Sequence, residues 1–128
     1  MEKTINTQTD HEVKDDINNI IIQAIQDVKG KNIVVLDMRK LTDAPTNFFI
    51  ICEGDSSTQI NAISGSIHKH IRQEYGYIPE HKEGADGSRW LLVDYFNTVV
   101  HIFHPEARAF YALEDLWSDA DMTEYKNI

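Results

Sequence analysis

Apolar residues recur every three or four positions through Val13, Ile17, Ile20, Ile21, Ala24, Ile25 and Val28, which places them on one face of an α-helix. Both ends of that helix are signalled. Thr9 with Glu12 three residues on fits a reciprocal cap, and Gly30 stands where a left-handed residue closes a helix. The period then changes. Ile33-Val34-Val35-Leu36, within 32–39, and Phe48-Phe49-Ile50-Ile51, within 47–53, are runs of consecutive strand formers, separated by a loop containing Thr42-Asp43-Ala44-Pro45. Runs that are apolar at every position are buried on both faces of a sheet, so helices are expected on both sides. A helical stripe returns at Ile60, Ile63, Ile67 and Ile71, entered at Ser56 or Ser57 and closed by Gly76.

Further along, 77–82 is expected to form a third strand, kept to an edge by Pro79. The polar, glycine-containing segment 83–88 predicts a loop. Trp90–Tyr95 and Thr98–Phe103 then predict a hairpin around Phe96-Asn97. Asn97 adopts a positive φ at little cost and Phe96 does not, which favours a turn longer than two residues. Pro105 suits the first position of a helix, and Ala107, Phe110, Leu113, Leu116 and Trp117 supply an apolar stripe over one or two short helices. From Ser118 the chain turns acidic and is expected to be loose. The pattern predicts a single α/β domain, a mixed sheet of about five strands flanked by helices. Its boundaries are a flexible N-terminus over 1–10, the folded unit over 11–118 and an acidic tail over 119–128.

Charge narrows the choice of partner. With 21 acidic against 12 basic residues, the net charge is −9, so the chain as a whole does not attract a phosphate backbone. A basic or neutral protein partner is expected, with little direct nucleic-acid contact. The lone Cys52, beside Phe49, Ile50 and Ile51, suits a buried thiol and forms no internal disulfide. No window approaches the length of apolar sequence that a membrane span needs, and the first ten residues lack an apolar leader core, so a cytoplasmic protein is expected.

The constellations that could carry chemistry are incomplete. Gly54-Asp55-Ser56-Ser57 lies between a strand and a helix, where backbone N–H groups can meet an anion or a serine can cap the helix. A P-loop lysine is missing. A metal-dependent nucleotidyltransferase places Asp-x-Asp on a strand after such a turn; here that spacing occurs only at Asp119-x-Asp121, in the tail, and Asp94 is flanked by Leu92 and Phe96. His101 and His104 fall on opposite sides of a strand, and His68 and His70 diverge on a helix, so neither pair has the geometry of a metal site. No enzyme, metal or cofactor is expected. What remains is a surface, with Trp90, Leu92 and Asp94 on one side of a strand and Tyr95, Phe96 and Asn97 at its turn. Aromatic residues beside acids are the makings of a protein interface, or, for Trp90 and Leu92, of a core. Alternation does not decide which side is buried, because Leu91 and Val93 are equally apolar.

Trp90-Leu91-Leu92-Val93-Asp94-Tyr95 and Val99-Val100-His101-Ile102-Phe103 resemble the signature of the ribosomal silencing factor, or Iojap, family. So does the segment Arg108 to Trp117, with its Arg-x-Phe-Tyr-x-Leu-Glu-x-Leu-Trp pattern. Upstream, Phe49-Ile50-Ile51-Cys52 with Gly54, Ser56, Ser57 and Gln59 is similar to the family's strand and helix start, and Glu83-Gly84 to its loop. The likeness covers about 17–120. It implies a nucleotidyltransferase-like fold without catalytic carboxylates. It also implies binding to the large ribosomal subunit, through a basic, conserved ribosomal protein at the intersubunit face, with small-subunit joining blocked and translation repressed. The alternatives are a large-subunit assembly factor using the same surface, or a nucleotidyltransferase-like enzyme. The contact implied by the match is Trp90, with Leu92, Asp94 and Tyr95 on its strand and Phe96 and Asn97 at the turn; Glu83 and Glu53 are added on charge alone. Phe96-Asn97 departs from the family's Gly-Asp, and Asn47 or Phe48 stands where tyrosine is common. The family includes homodimers, and no heptad or apolar stripe in this chain requires one.

Overall fold

A computed structural model describes residues 17–84 and 87–128. The Thr9–Glu12 cap and the N-terminal segment over 1–10 lie outside those residues. Helix α1 (17–27) buries Ile17, Ile21, Ala24 and Ile25, the residues whose spacing predicts it. Its exit differs from expectation. Lys29, not Gly30, takes the left-handed conformation, at φ 64°. Gly30 serves packing instead: a Cβ there would stand 2.3 Å from the Ile25 side chain and 3.2 Å from Ile63, so the missing side chain lets this turn sit against the next helix.

Strands β1 (Lys31–Asp37) and β2 (Phe48–Glu53) run antiparallel, followed by α2 (Ser57–Tyr75). Ser56 caps α2 by accepting from the Gln59 N–H at 3.1 Å, while Gln59 Oε1 accepts from the Asp55 N–H at 2.7 Å. The Gly-Asp-Ser-Ser turn is thus occupied with closing its own helix. At the other end Gly76, φ 71°, returns its N–H to the Arg72 carbonyl. Strand β3 (His81–Glu83) is shorter than the 77–82 segment expected and lies at the sheet edge. Strands β4 (Trp90–Tyr95) and β5 (Thr98–Phe103) form the predicted hairpin. Tyr95 pairs with Thr98, so the turn has two residues and not more, with Phe96 itself at φ 55°. Its ring packs on Tyr77 at 4.9 Å, and Tyr77 stacks on Tyr75, which supplies the packing that holds the unfavourable backbone.

Pro105 opens α3 (Pro105–Tyr111) behind its cap His104, and α4 (Leu113–Leu116) follows. The C-terminal stripe is only partly buried. Ala112 adopts φ 47° between the two helices and breaks their phase, so Ala107, Leu113 and Trp117 pack inward while Phe110 is 80% and Leu116 70% exposed. The expectation of a loose tail from Ser118 is corrected. Residues Asp121–Tyr125 form β6, antiparallel to β1 from Ile33↔Tyr125 to Asp37↔Asp121. The side chains of β6 stand mostly in solvent, and its backbone satisfies what would otherwise be the free edge of β1. Beyond it, Asn127 accepts from the Asn32 N–H at 2.8 Å and the Ile128 carbonyl accepts from Lys29 Nζ at 3.2 Å.

The sheet therefore has six strands in the order β3-β4-β5-β2-β1-β6, with β2 and β5 the parallel pair. Burial on both sides of β1 and β2 follows the expectation from their unbroken apolar runs. One face packs Ile33, Val35, Ile50, Cys52, Leu91, Val93, Tyr95, Val100 and Ile102 under α1 and α2. The other packs Val34, Leu36, Phe49, Ile51 and Phe103 under α3 and α4. Cys52 is fully buried, and burial pushes its thiol pKa up to about 12, which makes it inert.

A candidate docking face on the sheet

Strand β4 alternates between the two faces. Leu91, Val93 and Tyr95 point into the core beneath α2, and Trp90, Leu92 and Asp94 point to the other side, partly exposed. Directly paired residues project to the same side of a sheet, so the register assembles the surroundings. Glu83 lies opposite Leu92 and His81 opposite Asp94 on β3; His101 lies opposite Leu92 and Val99 opposite Asp94 on β5. Helices α3 and α4 cover the part of this face nearer β1, whereas the strip formed by β3 and β4 stays open.

At the border between covered and open halves stands Trp90. Its indole stacks on Phe103 (4.9 Å between centroids), meets Tyr111 at 4.6 Å and donates from Nε1 to His101 Nδ1 at 3.1 Å. Beside it an open depression of about 580 Å³ runs between Gly87–Trp90 and α3, floored by Ala107 and rimmed by Phe110 and Tyr111. Arg89 ties the two walls together, 2.7 Å from Glu106 and 3.3 Å from the His104 ring. Further along the strip, Asp94 has one carboxylate oxygen buried without a hydrogen-bond partner. Burial, with Glu80 nearby, raises its pKa, while His81 opposes the rise.

The expected site residues do not all converge. Trp90, Leu92, Asp94 and Glu83 share this face, and Glu83 is exposed, its carboxylate accepting from His81 Nε2 at 2.6 Å. Tyr95 belongs to the opposite face, 1% exposed, its hydroxyl pKa pushed up to about 12 by burial. Phe96 and Asn97 sit at the far end of the hairpin from Trp90, where Phe96 is 48% exposed. Glu53 is committed elsewhere. Its carboxylate holds Arg108 at 3.1 Å, and the same guanidinium reaches Glu114 at 2.5 Å and the Asn32 carbonyl at 2.6 Å, largely out of solvent. The charge that suggested Glu53 for a basic partner is neutralised inside the fold. His101, Phe103 and Tyr111 support Trp90, although the sequence offers His101 only as half of a histidine pair and gives none of the three a place in the contact. For the first two the signal lay in the hairpin, since a two-residue turn fixes Leu92 opposite His101 and Trp90 opposite Phe103.

A family model described as "Ribosomal silencing factor during starvation" matches residues 11–128. The chain belongs to the ribosomal silencing factor family. The Bacillus subtilis ribosomal silencing factor RsfS is 38% identical over 108 residues, 84% of this chain and 90% of that protein. A crystal structure of a Chromobacterium violaceum protein superposes with a TM-score of 0.75 at 36% identity, covering 81% of this chain and 85% of that one. A Mus musculus relative named "Mitochondrial assembly of ribosomal large subunit protein 1" is 34% identical over 77 residues, 57% of this chain and 33% of that protein. The family match runs to the last residue, so β6 falls inside the matched segment. Among the described residues of this silencing factor no group of three or more His, Cys, Asp or Glu could hold a metal ion. None of the described helices is long and apolar enough to cross a membrane.

Proposed function

We propose that this ribosomal silencing factor docks on a basic protein of the large ribosomal subunit through the open strip of β3 and β4. Occupying the intersubunit side, it keeps the small subunit from joining and represses translation in the cytoplasm, without catalysis or cofactor. The observation that carries the reading is a half-buried tryptophan at the edge of an open sheet face, with Leu92 and the partly exposed Asp94 along the same side of its strand. A large ring in a partly desolvated setting is the usual anchor of an interface, and flanking acids select a basic partner and speed its approach. The net charge of −9 supports contact with protein rather than RNA. Obstruction needs affinity and bulk alone, and the blocked fraction follows mass action as the factor's concentration passes its dissociation constant.

The test is reconstitution of purified large and small subunits with increasing amounts of this protein. Loss of subunit joining is expected in proportion to occupancy of the large subunit; undiminished joining at saturating occupancy would overturn obstruction. The mouse relative's name favours a second reading, a factor that holds immature large subunits through the same face. Tighter binding to precursor than to mature large subunits would select it.

A further inference from the structure

We infer that His101 is the positioning residue of the Trp90 contact, holding the indole with its N–H edge turned toward β5 and its carbon surface left for the partner; this rests on the docking role proposed above. The argument begins with donors and acceptors. An indole N–H can only donate, and that of Trp90 lies 3.1 Å from Nδ1 of His101. Nδ1 therefore accepts, and a neutral imidazole then carries its one proton on Nε2. That nitrogen is buried and has no hydrogen-bond partner, in a residue only 3% exposed. Such an orphan is costly. A hydrocarbon ring could fill the space beside Phe49 (4.4 Å) and Phe103 (6.1 Å) without that cost. The one thing a histidine does here that a hydrocarbon does not is accept the indole proton.

The environment keeps that acceptor available. The register neighbours of His101, Leu92 on β4 and Ile51 on β2, are uncharged, and burial lowers its pKa to about 4, so the Nδ1 lone pair persists at neutral pH. Trp90 needs such a hold. Stacking on Phe103 and Tyr111 sets the plane of the indole, but rotation about χ2 is roughly two-fold, and stacking alone does not choose which edge faces inward. The hydrogen bond makes that choice. With the N–H already satisfied, the partner meets Trp90 as an apolar ring fixed before contact, which reduces the ordering cost of association.

The test uses the full chain labelled with nitrogen-15, purified large ribosomal subunits, and the variants His101→Phe and His101→Gln. In the free wild-type protein, nuclear magnetic resonance should show the Nε2–H tautomer of His101 and a Trp90 indole proton that exchanges more slowly than in His101→Phe. His101→Phe is expected to weaken large-subunit binding about tenfold, the scale of one hydrogen bond. His101→Gln, whose amide oxygen can accept the same proton, should recover part of that loss. With Trp90→Phe already present, His101→Phe should weaken binding no further. An Nδ1–H tautomer, a wild-type indole proton exchanging like a free one, or equal weakening with and without Trp90→Phe would overturn the assignment. Failure of the wild-type protein to bind large subunits would instead overturn the docking role. The tautomer and exchange measurements on free wild-type protein decide the His101–Trp90 bond in that case, and equally if a variant does not fold.

Discussion

The two sides of β4 differ in how completely the chain finishes them. Leu91, Val93 and Tyr95 are buried against the isoleucines of α1 and α2, whereas Trp90, Leu92 and Asp94 meet helices along one margin only and stay partly exposed. The closed side is where burial yields stability. On the open side, apolar area and a partly exposed carboxylate remain to be covered by something else, which is the physical condition for binding.

Substitutions on the two sides should therefore separate stability from affinity. Ile63→Ala, in the closed layer, is expected to cost about 3 to 4 kcal/mol in a denaturant titration, through lost burial and a residual cavity. Large-subunit binding by the molecules still folded should be unchanged. Acid probes the buried half of the other side. His101 has a folded pKa of about 4 against an ordinary 6.5, so between those values the unfolded chain binds more protons. Its contribution is full above pH 6.5 and is lost as pH falls toward 4, by roughly 3 kcal/mol, while His101→Phe should flatten that part of the stability profile. Trp90→Ala should weaken large-subunit binding by about 2 kcal/mol or more in a pelleting assay. Equal retention of this variant would remove Trp90 from the contact and erase the distinction between the two sides. The smallest contrast lies between two acids. Glu53→Gln should lower stability by about 2 kcal/mol, because Arg108 loses one of two carboxylates in a dry setting. Glu83→Gln, exposed beside His81, should leave stability within about 0.5 kcal/mol and slow association at low salt.

Local chemistry was legible wherever a few adjacent residues decide the outcome. Ser56 with Gln59, Gly76, Pro105 and the Trp90–Phe103 hairpin all stand where their types and spacing put them, since caps and tight turns close over three to five residues. Phe96 is the instructive exception. Its intrinsic aversion to a positive φ argued for a longer turn, yet Tyr77, nineteen positions earlier, gives its ring a surface to pack on. Gly30 is another, read as a left-handed closure when its lack of a side chain serves contact with Ile25 and Ile63.

For the candidate site, Trp90, Leu92 and Asp94 could be grouped from strand alternation alone, and Glu83 joined them from a charge argument that the β3–β4 register supports. The same argument misassigned Glu53, because charge composition does not reveal that Arg108, 55 residues away, reaches the same spot. Tyr95 enters the contact through the family match, and as the neighbour of Asp94 on a strand it faces the opposite way.

What the sequence by itself determined was the set of elements, their caps, the hairpin and the family, all of which rest on short-range spacing or on an ordered series of motifs. Tertiary structure decided which side of β4 is closed, that 121–125 becomes a sixth strand, and which acids remain free. Those outcomes depend on where helices return and which strand edge is left open. Side-chain periodicity records that two residues share a face, but the partner covering that face comes from distant parts of the chain.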